Sequence, residues 1–213
     1  METKKIIDTC PEYENKNPII RKLFWNRINY AVELSKLEEN AQKNLKILDV
    51  GCGRAKLFER INKKRNKFSF NGIDMNEDIS KLKIKNAKFK VIKPESSKYP
   101  FSKNTFDAAF ALDCFEHIKD LRKEIKKMKD VLKPEGIFII SGPTETVFYR
   151  LSRLIMKGTW LEVYEGEIHH HTIYQIRDAL KDEGFKLLER KTLPFKLLPF
   201  FEIYSFRLGG KNE

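Results

Sequence analysis

The sequence predicts an α/β fold built on a mostly parallel, doubly wound sheet, and three observations carry that prediction. Short apolar runs alternate with amphipathic, charged stretches from residue 46 to 141, the pattern of repeated strand–helix–strand units. The run Ile47-Leu48-Asp49-Val50 ends in Gly51-Cys52-Gly53, after which Leu57, Phe58 and Ile61 recur at helical spacing. That stretch reads as a buried strand, a tight turn and a helix start. Finally, 213 residues with 41% hydrophobic and 34% charged side chains suit one domain of ordinary size with a real core.

The elements follow in order. Residues 1–17 lack periodicity and read as an arm. Asn17-Pro18 opens a helix, with proline suited to a first turn, and Ile19, Leu23, Ile28, Val32, Leu34 and Leu37 give it an apolar face. After the glycine turn come a second strand, Lys67–Asp74, and a third, Lys88–Ile92. Phe106–Leu112 is the fourth. A charged helix, Leu121–Leu132, leads through the turn Lys133-Pro134-Glu135-Gly136 into a fifth strand, Ile137–Ser141. Residues 145–168 read as a lid-like insertion with an apolar stripe flanked by Arg150, Arg153 and Lys157. Thr172 is a suitable N-cap for a helix through Lys181. Two apolar strands, Lys186–Thr192 and Phe200–Leu208, close the chain, joined by the oily segment Leu193–Pro199.

The glycine turn narrows the function. Glycine serves where the backbone takes positive φ or lies flat against a ligand, and the exposed N–H groups of a helix start favour an accepting guest. No Gly-Lys-Ser/Thr follows at the spacing of a phosphate loop. A dinucleotide loop wants a third glycine where Lys56 stands. Asp49, moreover, would repel a pyrophosphate but suits a cationic ligand. Asp74 lies 21 residues after Gly53, near the interval at which an acid meets a ribose in doubly wound sites, and a carboxylate accepts from both ribose hydroxyls.

Asp49-Val50-Gly51-Cys52-Gly53-Arg54-Ala55 resembles motif I of the class I S-adenosylmethionine-dependent methyltransferases, D-x-G-x-G followed by a small residue. Gly72-Ile73-Asp74-Met75-Asn76 is similar to the family's G-x-D-x-[ST/N] segment. Glu95-Ser96, Tyr99-Pro100-Phe101 and Phe106-Asp107 look like its D-A-x-x-L-P-F-x-x-x-x-F-D segment, with Glu95 in place of the usual aspartate. Phe115-Glu116-His117-Ile118-Lys119-Asp120 resembles the L-E-H-[IV]-x-D of the type-11 group. Leu132–Gly136 matches L-K-P-x-G, and the histidines before Thr172, with Gly184-Phe185, match its H…G-F segment. The resemblance covers residues 45 to 190.

It implies a seven-stranded sheet completed by a C-terminal antiparallel hairpin, with residues 1–44 as arm and cap helix and 45–213 as the methyltransferase domain. The implied cofactor is S-adenosylmethionine, leaving as S-adenosylhomocysteine. Its implied site comprises Asp49, Gly51, Cys52, Gly53, Asp74, Met75 (packing its thioether on the adenine), Glu95, Ser96 and Leu112. Asp113 and His117, just past the fourth strand, are the candidates to orient or deprotonate an acceptor. His169, His170, Tyr149 and Trp160 are candidates to face it.

A metal is not expected: adjacent histidines among His169-His170-His171 point apart, and no carboxylate stands at suitable spacing. The cysteines, Cys10, Cys52 and Cys114, form no metal pair or disulfide framework and read as reduced and structural. No apolar run is long enough to span a membrane and no signal peptide is visible, so a cytoplasmic protein is expected. The oily stretches 147–164 and 193–206 favour a small or lipid-like apolar acceptor, with peripheral contact to an anionic membrane as one use of the basic amphipathic stretch. The net charge of +12 motivates the alternative, a tRNA or rRNA methyltransferase. Against it, no Asn/Asp-Pro-Pro-Tyr segment, Pro-Cys nucleophile or appended RNA-binding module is present. A cofactor-binding protein without turnover is a further rival. The oligomeric state is not legible.

Overall fold

The computed structural model describes residues 11–40, 44–62, 68–93, 95–147, 149 and 169–209. Helix α1, Pro18–Leu34, starts where expected: the Asn17 side chain accepts from the Ile19 N–H at 2.9 Å, and proline occupies the first turn. It stops three residues short of Leu37, where Lys36 turns the chain at φ +53°. Strand β1, Leu45–Val50, then enters the sheet and gives way to helix α2, Lys56–Asn62. Strands β2, Phe68–Asp74, β3, Ala87–Val91, and β4, Phe106–Leu112, follow. Helix α3, Leu121–Val131, capped by Asp120, precedes β5, Leu132–Pro143. Helix α4, Ile173–Asp182, begins at a full capping box between Thr172 and Gln175, and β6, Phe185–Phe195, and β7, Leu198–Leu208, finish the sheet.

The strands lie in the order β3-β2-β1-β4-β5-β7-β6. The first five are parallel neighbours, and β7 runs antiparallel between β5 and β6. Both sheet faces are covered, which is why the central strands read as continuous apolar runs instead of alternating. Leu48, Ala109, Phe138 and Ile140 face one layer, where Ile125 and Met128 of α3 and Ile176 and Leu180 of α4 pack. Ile47, Ala108, Phe110 and Ile139 face the other, against α1 and the Leu57, Phe58 and Ile61 stripe of α2. The order reverses between β1 and β4, so a crevice opens at their carboxyl ends, where ligands bind in such sheets.

Two local expectations are corrected. The Lys133–Gly136 turn is absorbed into β5: Phe106 pairs with Leu132 and Ala108 already with Ile137, so residues 133–136 bulge outward, with Glu135 at φ +62°. The joining segment of the final hairpin is likewise strand, with Leu193 paired to Phe201 and Phe195 to Leu198. Cross-strand pairing draws in apolar residues that composition alone assigns to a loop. Leu193 and Phe201 owe their oiliness to the core, whereas Phe195 and Leu197 remain exposed. Of the insertion at 145–168, only Glu145–Val147 and Tyr149 are described; Trp160, the three basic residues and Cys10 fall outside the described residues. Cys52 and Cys114 are free thiols.

Candidate cofactor and acceptor site

The glycine turn is fastened to the next strand by backbone bonds. The Gly51 and Cys52 N–H groups both donate to the Ile73 carbonyl, at 2.8 and 3.2 Å. Gly51 and Gly53 sit at φ +72° and +45°, which side chains rarely adopt. Gly51 is needed for a second reason: a Cβ there would meet Cys114 Sγ at 2.6 Å and Cys114 Cβ at 2.8 Å. The loop therefore presses against the residue that follows Asp113, joining the two sides of the crevice.

Asp74 closes β2 and organises this corner. Its Oδ2 accepts from the Gly53 N–H at 2.8 Å and its Oδ1 from the Asn76 N–H at 2.9 Å. Asn76, not Asp74, caps the short 3₁₀ turn that follows. Each carboxylate oxygen has two lone pairs, so both keep accepting capacity toward the crevice. Asp49 is buried in β1 below the loop. Its carboxyl is pushed well above the ordinary range, first by desolvation and then by the neighbouring Asp74 charge. Burial, with the nearby Asp49 and Asp74 charges, also raises the Cys52 thiol, and burial raises Cys114; both are inert as thiols. Met75 is exposed, and Glu95 and Ser96 lie on the loop that leaves β3. Ile92, at the start of that loop, donates to the Asp74 carbonyl at 2.9 Å, which sets these residues on the same sheet edge as Asp74.

A narrow cleft of about 60 Å³ lies between the two sides, lined by Asp49, Gly51, Cys52, Gly53, Leu112 and Asp113, with Tyr13, Ile28, Arg54, Lys56 and Leu57 completing it. Tyr13 belongs to the 3₁₀ turn Pro11–Glu14, and Glu14 binds Lys56 at 3.0 Å across the glycine loop. A larger open concavity, about 440 Å³, lies by Phe68, Ser69 and Ala87 at the amino ends of β2 and β3. It contains no candidate residue, whereas the smaller cleft at the crevice gathers Asp49, Gly51, Cys52, Gly53, Leu112 and Asp113 and is the candidate site.

Asp113, one of the two acceptor-side candidates, is held by its neighbours. It stands at φ +52°, its carboxylate forms an ion pair with Arg27, and it accepts from Ser141 Oγ at 3.2 Å. Arg27, 4% exposed, lies between the rings of Phe24 and Phe201, 4.5 and 4.3 Å from their centroids. The pair ties α1 to the ends of β4 and β5. Arg27 is the residue that sequence reasoning missed. Its signal was present as a charge on the same stripe of α1 as Ile20, Ala31 and Leu34. Tyr13 and Lys56 carry no comparable signal.

On the far side of Asp113, His117 ends the 3₁₀ turn Phe115–His117. Its ring stands edge-on to His169, 4.9 Å between centroids, and His169 Nδ1 lies 2.9 Å from Glu145 Oε1. The His170 N–H donates to the Glu116 carbonyl at 2.7 Å, while its side chain is exposed. Tyr149 packs edge-on against Phe200 and Phe201. The structure thus joins His117 to His169, separates His170 from them, and brings Glu116 within reach of both imidazoles, a proximity that the linear spacing conceals.

Comparison with known proteins agrees with this geometry. A family model described as a methyltransferase domain matches residues 24–190. The ubiquinone biosynthesis O-methyltransferase of Rickettsia typhi is 26% identical, covering 92% of this chain and 83% of that protein. The sterol 4-C-methyltransferase strm-1 of Caenorhabditis elegans is 33% identical over 71% of this chain, which spans only 47% of that longer protein. The structure of the N-methyltransferase NodS from Bradyrhizobium japonicum, in complex with S-adenosyl-L-homocysteine, superposes with a TM-score of 0.65 at 14% identity, covering 96% of this chain and 95% of that one. With its strand order, its glycine turn and this family match, the chain belongs to the class I S-adenosylmethionine-dependent methyltransferases.

Proposed function

We propose that this enzyme moves the methyl group of S-adenosylmethionine to a small or lipid-like, apolar acceptor. The observation that carries the reading is an apolar rim at the carboxyl edge of the sheet. β7 runs antiparallel to β5, so the turn between β6 and β7 projects from the edge where the crevice opens. It presents Phe195 and Leu197, 67% and 92% exposed, and Val147 is exposed beyond the end of the neighbouring β5. Exposed apolar groups gathered beside a site mark contact with an apolar partner. The sterol and ubiquinone methyltransferase relatives support the same acceptor class.

In this reading the loop Gly51–Gly53 receives the methionine end of the cofactor, and Asp49 beneath it faces the cationic charge. Asp74 accepts from the ribose hydroxyls, Met75 and Leu112 flank the adenine, and Glu95 and Ser96 meet its amino edge. The sulfonium methyl is already electrophilic, so the protein's main task is alignment of the acceptor for in-line displacement. His117, His169, His170 and Tyr149 stand on the acceptor side, outside the cofactor loop, and residues 1–44 serve as arm and cap to the domain that follows.

The test is labelling of a cell extract with methyl-labelled cofactor, followed by separation into lipid, RNA and protein fractions. Label in the lipid or small-molecule fraction is expected. Label confined to RNA would establish the rival reading that the +12 charge favours, and RNA binding would then fall steeply with salt. For the cofactor side, Asp74→Ala should weaken S-adenosylmethionine binding by about 1–3 kcal/mol, the range of a lost charge-assisted hydrogen bond. Unchanged affinity by calorimetry removes Asp74 from the site.

A further inference from the structure

Four ionisable side chains from three segments meet past the end of β4. Glu116 and His117 lie in the turn after that strand, Glu145 follows β5, and His169 precedes α4. One ligand atom each of Glu116, His117 and His169 fits within a mutual separation of 4.8 Å. We propose that these three residues hold a divalent transition-metal ion, with Glu145 as the outer carboxylate that orients His169.

Three features carry the assignment beyond simple proximity. The donor set, two imidazoles and one carboxylate, is one that zinc, cobalt, nickel, manganese and iron accept. Glu145 Oε1 lies 2.9 Å from His169 Nδ1, so this nitrogen carries the proton and Nε2 is the coordinating atom. That carboxylate–histidine–metal arrangement fixes ring orientation and raises ligand basicity. The backbone beneath is already fastened, because the His170 and His171 N–H groups both donate to the Glu116 carbonyl, at 2.7 and 3.3 Å. The two ligand-bearing segments are therefore held together without an ion.

The size of the adjustment is small. A tetrahedral ion with bonds of about 2.0–2.1 Å holds its donors roughly 3.3 Å apart, so donors already within 4.8 Å of one another have only about 1.5 Å to close. Glu116 is 2% exposed, and a carboxylate largely withdrawn from water attracts a cation more strongly. His117 and His169 are half-buried, which leaves a route for the ion to enter. Three protein ligands leave positions open for water or for an oxygen of the acceptor, the pattern of a working site as opposed to a purely structural one. This assignment does not rest on the acceptor class, since none of its ligands belongs to the cofactor loop or the apolar rim.

The experiment uses the untagged full chain, stripped with chelator and titrated with Co²⁺, followed by ligand-field absorption in the visible and by competition with Zn²⁺. Saturable uptake of a single ion per chain is expected, displaced by Zn²⁺. His169→Ala should abolish it, Glu116→Gln should weaken it severely, and Glu145→Gln should weaken it about 10–100-fold. Asp74→Ala should leave the Co²⁺ titration unchanged, while His169→Ala should leave calorimetric binding of S-adenosylmethionine unchanged, so the two sites fail separately. Absence of saturable Co²⁺ uptake by the folded chain overturns the proposal, and so does uptake that survives His169→Ala. The Glu145–His169 hydrogen bond and the edge-on contact of His169 with His117 then serve packing alone.

Discussion

Around the glycine turn, from Asp49 to Asn76, the site is shaped by backbone: the Ile73 carbonyl holds the Gly51 and Cys52 N–H groups, and Asp74 binds the Gly53 and Asn76 N–H groups. Across the crevice, the side facing β4 and β5 is assembled from side chains far apart in sequence. Arg27 comes from α1, Asp113 from the end of β4, Glu145 from beyond β5 and His169 from ahead of α4. The first side binds a molecule shared by a whole family, and a backbone cradle tolerates variation in the side chains around it. On the proposed function the second side meets the acceptor, and side-chain assembly would let acceptor preference change without disturbing the cradle.

The sharpest way to break that contrast is Gly51→Ala. An L-residue in the left-handed region costs about 1–2 kcal/mol, and pressing Cβ against Cys114 adds about 1–3 kcal/mol of overpacking. A total loss of about 2–5 kcal/mol in chemical denaturation is expected, together with loss of cofactor binding. Cys114→Gly in the same chain should restore the packing part alone. Full recovery would mean that φ strain at 51 is unimportant and that the backbone account of this side is wrong.

Arg27→Met tests the other side. It keeps much of the volume between Phe24 and Phe201 while removing the charge. Stranding a buried partner costs about 3–5 kcal/mol, and since the Asp113 side chain is 23% exposed a discounted value of about 2–3 kcal/mol is expected. Arg27→Met with Asp113→Asn should recover most of it, because no lone carboxylate remains. A single-variant loss below about 0.5 kcal/mol by thermal or chemical melting would class the pair with exposed salt bridges and detach α1 from the site.

The same contrast governs what was legible. Strand β1, the glycine turn, α2 and Asp74 could be read because each depends on local spacing: an apolar run, two glycines, a helical stripe, an acid at a strand end. Thr172 and Asn17 declared their helices for the same reason, since a cap acts on backbone two or three residues away. Arg27–Asp113 and Glu116–His117–His169 join residues 86 and 52 positions apart, and no periodicity encodes such a meeting. The adjacent histidines suggested side chains pointing apart. His170 is exposed, whereas His169 finds Glu116 and His117 on another segment. Likewise Leu193 looked like part of an oily loop because strand pairing with Phe201, which buries it, is invisible to composition.

The smallest expected effect is the most specific to the cofactor side, and it comes from Asp49. Its raised carboxyl pKa means that the folded chain keeps a proton that the unfolded chain has released. That contribution to stability is present below the unfolded value and is lost as pH rises through the folded one. A cationic ligand beside Asp49 favours the ionised form, so cofactor affinity should move the opposite way and rise with pH over the same window. The limiting slope is one proton released per cofactor, about 1.4 kcal/mol per pH unit. Calorimetry in buffers of different ionisation enthalpy measures that proton directly, and Asp49→Asn should abolish its release. Opposed slopes for stability and affinity tie Asp49 to the cation. If both fall together with pH, Asp49 does not face the sulfonium end, and the glycine turn must hold the cofactor by backbone alone.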